Sequence, residues 1–333
     1  MDYLDSLNEP QRQAVTYSDG PSLVIAGAGS GKTRVLTYKI AYLLQSGLKP
    51  QSILALTFTK KAATEMKDRI AKVVGTEAAS KLWMGTFHSI FARILRAEAE
   101  KLGLDKDFTI YDGTDSQNLL ATIIKERKLD DKTYNPKKMH AKISRLKNDL
   151  ITPQMYKEIP DFHERDVEDH LYAFGDLYAA YAARCKNANA LDFDDILLFT
   201  NILLRDDAQV AFKYQNKFRF ILVDEYQDTN ASQYRIIRKL CQQHHKLCVV
   251  GDDAQSIYGF RGADVRNILS FTNDYPEAKV VRLEQNYRST QTIVNVANSL
   301  ISKNTQQLEK HAFSKQEVGN KVRVFGAYSE AEE

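Results

Sequence analysis

The chain has 333 residues, enough for about two domains and a sizeable core. With 43% hydrophobic and 27% charged residues it reads as globular rather than disordered, and a net charge of +3 does not by itself argue for a nucleic-acid partner. Three cysteines without C-x-x-C spacing speak against a disulfide framework or zinc site and fit a reducing, cytoplasmic setting, and no apolar run approaches the ~20 residues of a membrane span.

The N-terminus, MDYLDSLNEP, is acidic and lacks an apolar centre, so no secretory signal is expected. Leu7 to Val15 reads as a short helix with Asn8 as N-cap and Pro10 in its first turn. Gln11 on that helix either reads an adenine edge with its two-faced amide or is an exposed surface residue.

Ser22 to Arg34, SLVIAGAGSGKTR, organises the rest. Leu23, Val24 and Ile25 form a buried strand, Ala26, Gly27, Ala28, Gly29, Ser30 and Gly31 a loop without bulk, and Lys32, Thr33 and Arg34 a helix start. Backbone N–H groups and the helix dipole then face an anion. Lys32 supplies a charge to the β- and γ-phosphates and Thr33 a hydroxyl to Mg²⁺. Ala26 stands where the motif has its first Gly, a small residue that the loop tolerates.

Ile53 to Thr59 is a second buried strand and Lys60 to Val74 a helix, an alternation that predicts a parallel sheet with crossover helices. Phe58, beside Thr59 and two lysines at a strand end, is either a base-stacking platform or a core residue. Leu82 to His88 reads as another strand, with His88 at its polar edge, and Ser89 to Leu102 as an amphipathic helix. From Leu104 to Ala188 strand signals fade and helical spacing takes over, as in a helical insertion. Its densest basic run, Lys137 to Lys147, is either a solvated helix face or a phosphate-backbone contact. Asp192, Asp194 and Asp195 precede an apolar helix, Ile196 to Leu204, and capping is the default role for such carboxylates.

Phe218 to Val223 is a buried strand ending in Asp224 and Glu225. An Asp at that tip holds Mg²⁺ in P-loop ATPases, and Glu225 is placed to polarise an attacking water. Leu247 to Asp252 is the next strand. Gln255 beyond it suits a γ-phosphate sensor, and Tyr258, Phe260 and Arg261 suit stacking on a single strand. Val280 to Leu283 is a further strand, Ile293 to Ile301 a helix, Val322 to Tyr328 a late strand and Ser329 to Glu333 a helix start.

The segments LNEPQRQAV, AGAGSGKTR, TFTKKAA, GTFHS, LDFDD, VDEYQDTN, GDDAQSIYGFRGAD and LEQNYRST occur in this order. The chain thereby resembles superfamily 1 DNA helicases of the UvrD/Rep/PcrA group over nearly all its length. It departs at Ala254, where an acidic residue is common, and at Phe260, where Trp is frequent.

The resemblance implies an α/β fold: a RecA-like P-loop NTPase domain over 1–104 and 189–282, a helical insertion subdomain over 105–188, and the start of a second RecA-like domain over 283–333. It implies ATP and Mg²⁺ as cofactors. Gln11 and Tyr287 would hold the adenine, Lys32, Thr33 and Asp224 the phosphates and metal, Glu225 the water, and Gln255 and Arg288 the γ-phosphate. Phe58, Thr59, His88, Tyr258, Phe260 and Arg261 would line the DNA track. The implied activity is 3′-to-5′ translocation on single-stranded DNA and at single/double-strand junctions, in bacterial cytoplasm near the nucleoid, with repair or replication partners and without a membrane. The family's second arginine and the rest of its second domain have no counterpart after Tyr328, so little hydrolysis and no unwinding are expected of these residues alone. The alternatives are a helicase subunit of a helicase–nuclease complex and a non-catalytic DNA- or partner-binding module.

Overall fold

The computed structural model describes residues 2–324 and residue 326, apart from the side chains of Asp2 and Arg261. Eight strands carry the argument: β1 (Ser22–Ala26), β2 (Ile53–Thr57), β3 (Trp83–Thr86), β4 (Thr109–Tyr111), β5 (Ala190–Asp192), β6 (Phe220–Val223), β7 (Leu247–Gly251) and β8 (Lys279–Leu283). Six of them form one sheet in the order β3-β2-β6-β7-β1-β8, and each neighbouring pair is parallel.

A parallel sheet is covered on both faces, which is why its central strands are unbroken apolar runs. Successive residues of one strand accordingly enter different cores. Leu23, Ile25, Leu54, Leu56, Ile221 and Val223 pack on one face. Val24, Ala26, Ile53, Ala55, Phe220 and Leu222 pack on the other. Because the strands all run the same way, the residues after β1, β2, β3, β6 and β7 emerge at one carboxyl edge, where ligands of open α/β sheets bind.

Asn8 caps the first long helix, Glu9–Thr16, in a capping box with Gln11. Lys39, wholly buried in the helix that follows the phosphate loop, donates to Ala14 O at 2.9 Å and to Tyr17 O, tying the two helices together.

Residues between β4 and β5 form helices Gly113–Glu126, Pro136–Asn148, Pro153–Glu158, Pro160–Glu168 and Phe174–Asn187, with an apolar core of their own. The sequence shows no strand at either end of this insertion, yet β4 and β5 pair in parallel, Ile110 opposite Leu191. Three-residue strands are too short for periodicity to register.

Four further differences follow, the first three with a local cause. Thr86 accepts from Ser89 N at 3.3 Å and caps a helix that starts at Phe87, so His88 sits in a first helical turn and not on a strand. Asp192 caps a helix Phe193–Asp206, which begins ahead of the expected Ile196. Lys147 is 1% exposed and paired with Asp192 at 2.7 Å and Asp195 at 2.6 Å, so the solvated basic face excludes it. Val322–Val324 is not a strand, and the remainder of that expected strand and of the last helix start falls on Phe325 and 327–333, outside the described residues.

Candidate functional site

At the carboxyl end of β1 the chain turns through Gly27 to Gly31. Gly29 (φ +74°) and Gly31 (φ +93°) take the left-handed backbone that glycine adopts without strain. A Cβ would lie 2.8 Å from Arg288 Cβ at the first and 2.9 Å from Gln11 Nε2 at the second. Ser30 Oγ donates to Gly27 O at 2.7 Å, which closes the loop. Gly31 caps helix Lys32–Gln45 with no side-chain bond, leaving first-turn N–H groups for an anion. Ala26 is the buried last residue of β1, next to the loop's Gly27. Arg34 turns away from the loop and donates to Ser6 O at 3.1 Å and Ser6 Oγ at 2.8 Å.

Across the edge, β6 delivers Asp224 and Glu225. Glu225 has a left-handed backbone (φ 48°), an unusual conformation for a non-glycine residue. Its Oε2 stands 2.7 Å from Lys32 Nζ and accepts from Gln227 Nε2 at 2.9 Å. Burial, and then the charge of Glu225, push the Asp224 carboxyl up to about 7. The same causes raise Asp228 to about 6. Asp224 is thus an almost fully buried carboxyl whose ionised form an added cation would favour. Among the described residues no group of three or more His, Cys, Asp or Glu could hold a metal alone. A hard carboxylate and the Thr33 hydroxyl nevertheless fit Mg²⁺, which keeps several waters and takes substrate phosphates as ligands.

β7 delivers Asp252 and Gln255. Gln255 Nε2 donates to Asp252 Oδ2 at 2.6 Å, and Asp252 N donates to Gln227 Oε1 at 3.0 Å. Gln227 therefore bridges the tips of β6 and β7. The sequence signal for this role is its place inside VDEYQDTN, three residues past Asp224, and the structure adds its 1% exposure.

Gln11 is 1% exposed, which overturns its reading as a surface residue. Its Nε2 donates to Ser30 O at 3.0 Å, and its Oε1 accepts from Asn8 N at 3.3 Å. Tyr287, beyond β8, accepts from Asn8 Nδ2 at 2.9 Å and donates its own N–H to Gly29 O at 2.9 Å. Asn286, another residue without an assigned role, donates to Ala28 O at 2.7 Å and accepts from Arg288 N at 2.8 Å. Tyr287 and Arg288 are thereby set directly over the phosphate loop.

A separate cavity of about 290 Å³ opens on the same edge, and Phe58, Thr59, His88 and Tyr258 line it. Ser144 and Asn148 from the insertion close one side, and Asp194, Asp228 and Asn230 another. Phe58 meets Phe87 at 5.3 Å between ring centroids, His88 meets Phe193 at 5.4 Å, and Tyr258 meets Phe260 at 6.0 Å. Phe260 is 78% exposed, and the side chain of Arg261 lies outside the described residues. Burial lowers His88 to about 4, so it is a neutral ring at pH 7. Burial also raises Asp194. Neutral aromatics, amides and reluctantly ionised acids suit bases better than phosphates. Asp228 faces this cavity and also feels Glu225 and Lys32, so the two sites share one side chain.

Comparison with known proteins agrees with this geometry. Residues 7–276 match the UvrD/REP helicase N-terminal domain, and residues 281–333 match the UvrD-like helicase C-terminal domain. The chain is 46% identical over 332 residues to the ATP-dependent DNA helicase PcrA of Staphylococcus aureus strain Mu50, covering 99% of the chain and 44% of the relative. It is 46% identical over 330 residues to PcrA of Staphylococcus epidermidis strain RP62A, again covering 44% of the relative. The chain therefore spans less than half the length of these curated relatives.

Proposed function

The chain belongs to the UvrD/REP helicase family, and from that premise we propose that it is motor machinery of an ATP-dependent DNA helicase, moving 3′ to 5′ along single-stranded DNA. The observation that carries the reading is the shared edge. Lys32, Asp224, Glu225 and Gln255 gather beside the phosphate loop, while Phe58, His88 and Tyr258 gather in the adjoining cavity, and Asp228 touches both settings.

In this reading the loop N–H groups and Lys32 bind the phosphates. The Thr33 hydroxyl and Asp224 would hold Mg²⁺, which when bound neutralises charge on the transferring phosphoryl group. Glu225, freed from Lys32 when the lysine turns to phosphate, takes the proton of the attacking water. Gln255, its amide held by Asp252, reports the third phosphate. Gln11 and Tyr287 hold the adenine end and Arg288 the γ-phosphate end. The loss of that phosphate shifts the tip of β7, and with it Tyr258 in the cavity.

The domain assignment is part of the same proposal: motor domain over 1–104 and 189–282, insertion subdomain over 105–188, second motor domain from 283. Of the two arginines that the resemblance aims at the γ-phosphate, these residues hold Arg288, so hydrolysis is slow and unwinding absent without the other. Arginine fingers are worth ~10³ to 10⁵ in rate in related NTPases. Action in the bacterial cytoplasm, at the nucleoid and with repair or replication partners, follows from the same reading.

Titration of a fluorescent ATP analogue and of labelled oligo(dT), each with and without the other, tests the proposal. Both ligands bind, and each changes the other's affinity by one common factor. If oligo(dT) fails to bind, or if the two affinities are independent, the motor reading is refuted.

A further inference from the structure

No motif marks Lys310, which lies in the segment after helix Gln291–Ile301. Its side chain is 11% exposed, and its ammonium stands 2.7 Å from Asp252 Oδ1 and 2.9 Å from Asp253 Oδ1. Those carboxylates are 5% and 3% exposed, so each needs a nearby counter-charge to stay ionised. The backbone of the same segment reinforces the contact, with Leu308 N donating to Asp253 Oδ2 at 3.1 Å.

Asp252 is shared. Lys310 holds one oxygen and Gln255 Nε2 donates to the other at 2.6 Å. From the Asp252 backbone N–H, polar contacts continue through Gln227 to Glu225 and end at Lys32, at 3.0, 2.9 and 2.7 Å. An unbroken polar chain thus joins the segment after Ile301 to the lysine of the phosphate loop.

We propose that Lys310 is a positioning residue: its ammonium fixes Asp252, and Asp252 fixes the amide of Gln255 at the place from which it reads the third phosphate. This rests on the reading of Gln255 as a phosphate sensor. With the ammonium removed, two adjacent buried carboxylates repel, the pair rearranges, and Gln255 loses its fixed partner. The competing role is a staple: Lys310 only pins the following segment to the sheet.

Affinities for ADP and for a non-hydrolysable ATP analogue, both with Mg²⁺, separate the two roles. Displacement of a fluorescent nucleotide measures them on wild type, Lys310→Met, Lys310→Arg, Gln255→Ala and the Lys310→Met/Gln255→Ala double variant. Gln255→Ala lowers the preference for the triphosphate by roughly tenfold, the effect of one hydrogen bond to a charged group. Lys310→Met lowers it by a similar factor and leaves ADP affinity unchanged. Lys310→Arg restores the preference. The double variant is no worse than Gln255→Ala, because both act through one contact. Equal loss of both nucleotides in Lys310→Met, or losses that multiply in the double variant, overturn the positioning role in favour of the staple. An unchanged preference in Gln255→Ala overturns the sensor reading and this inference with it. Lys310→Gln gives the same readout should the methionine variant be insoluble.

Discussion

Replacing Lys147 by Met removes the one cation of a buried cluster. Its ammonium lies 2.7 Å from Asp192 and 2.6 Å from Asp195, with the three side chains 1%, 3% and 7% exposed. Methionine fills nearly the same volume, so packing changes little and the loss is electrostatic. Removing one partner of a buried ion pair costs ~3–5 kcal/mol, because the remaining charge is left uncompensated. Here Asp192 keeps the Tyr181 hydroxyl at 2.8 Å and Asp195 N at 2.8 Å, which places the loss near ~3 kcal/mol, the low end of that range.

The insertion has a core of its own, so the loss falls on local opening rather than on one global transition. The assay is amide hydrogen exchange. In helices Pro136–Asn148 and Phe174–Asn187 the opening equilibrium rises about a hundredfold, at 1.4 kcal/mol per factor of ten, while β1 and β7 are unaffected. Adding Asp195→Asn to Lys147→Met removes one of the stranded charges and recovers most of the protection. Equal exchange in Lys147→Met and wild type, or a double variant no better than the single, would refute the reasoning.

Three other outcomes follow from the site. Glu225→Gln lowers ATP turnover by ~10² to 10⁴ and leaves nucleotide affinity equal or higher, because the Lys32 ammonium is no longer held at 2.7 Å; single-turnover hydrolysis and titration check the two arms. Tyr258→Ala weakens oligo(dT) binding by about 1–3 kcal/mol, the worth of one stacked base, with ADP affinity unchanged; fluorescence anisotropy reads it. His88 is held at about 4 against 6.5 in the unfolded chain, so the unfolded state binds more protons and wild-type stability falls as pH drops from about 6.5 to 4. The melting temperature of His88→Gln therefore falls less steeply over that window, and parallel slopes would refute the assignment.

Much of the fold was legible because parallel strands buried on both faces read as short continuous apolar runs bounded by turn residues. β1, β2, β6 and β7 begin and end within two residues of their expected bounds. The phosphate loop and the carboxylates after β6 were legible as spacings. What spacing cannot express is which polar atom meets which. Gln227 and Asn286 lie inside quoted segments without a role and Lys310 lies in none, and only the folded chain brings Gln227 and Lys310 to Asp252 and Asn286 to Ala28. Lys147 is the converse case. In a run of lysines and arginines it reads as one more surface charge, but the pitch of helix Pro136–Asn148 turns it inward onto Asp192 and Asp195, while Lys137, Lys138 and Arg145 stay exposed. Gln11 misled for a similar reason: the capping box that draws it back to Asn8 also draws it under the loop.

The pairing of β4 with β5 has a consequence for how such a chain can change. The chain leaves the sheet-bearing body and returns to it through adjacent, hydrogen-bonded strands, Thr109 opposite Ala190 and Tyr111 opposite Asp192. What lies between is entered and left at a single doorway, and it touches the body again where Lys147 meets Asp195 and Asn148 meets Asp194 and Asn230. The β4–β5 pair is a sheet separate from the six-stranded one, so the doorway is held by hydrogen bonds of its own. A transplant cut just outside Thr109 and Asp192 carries its own hinge with it, whereas a cut inside those strands leaves two unpaired edges behind.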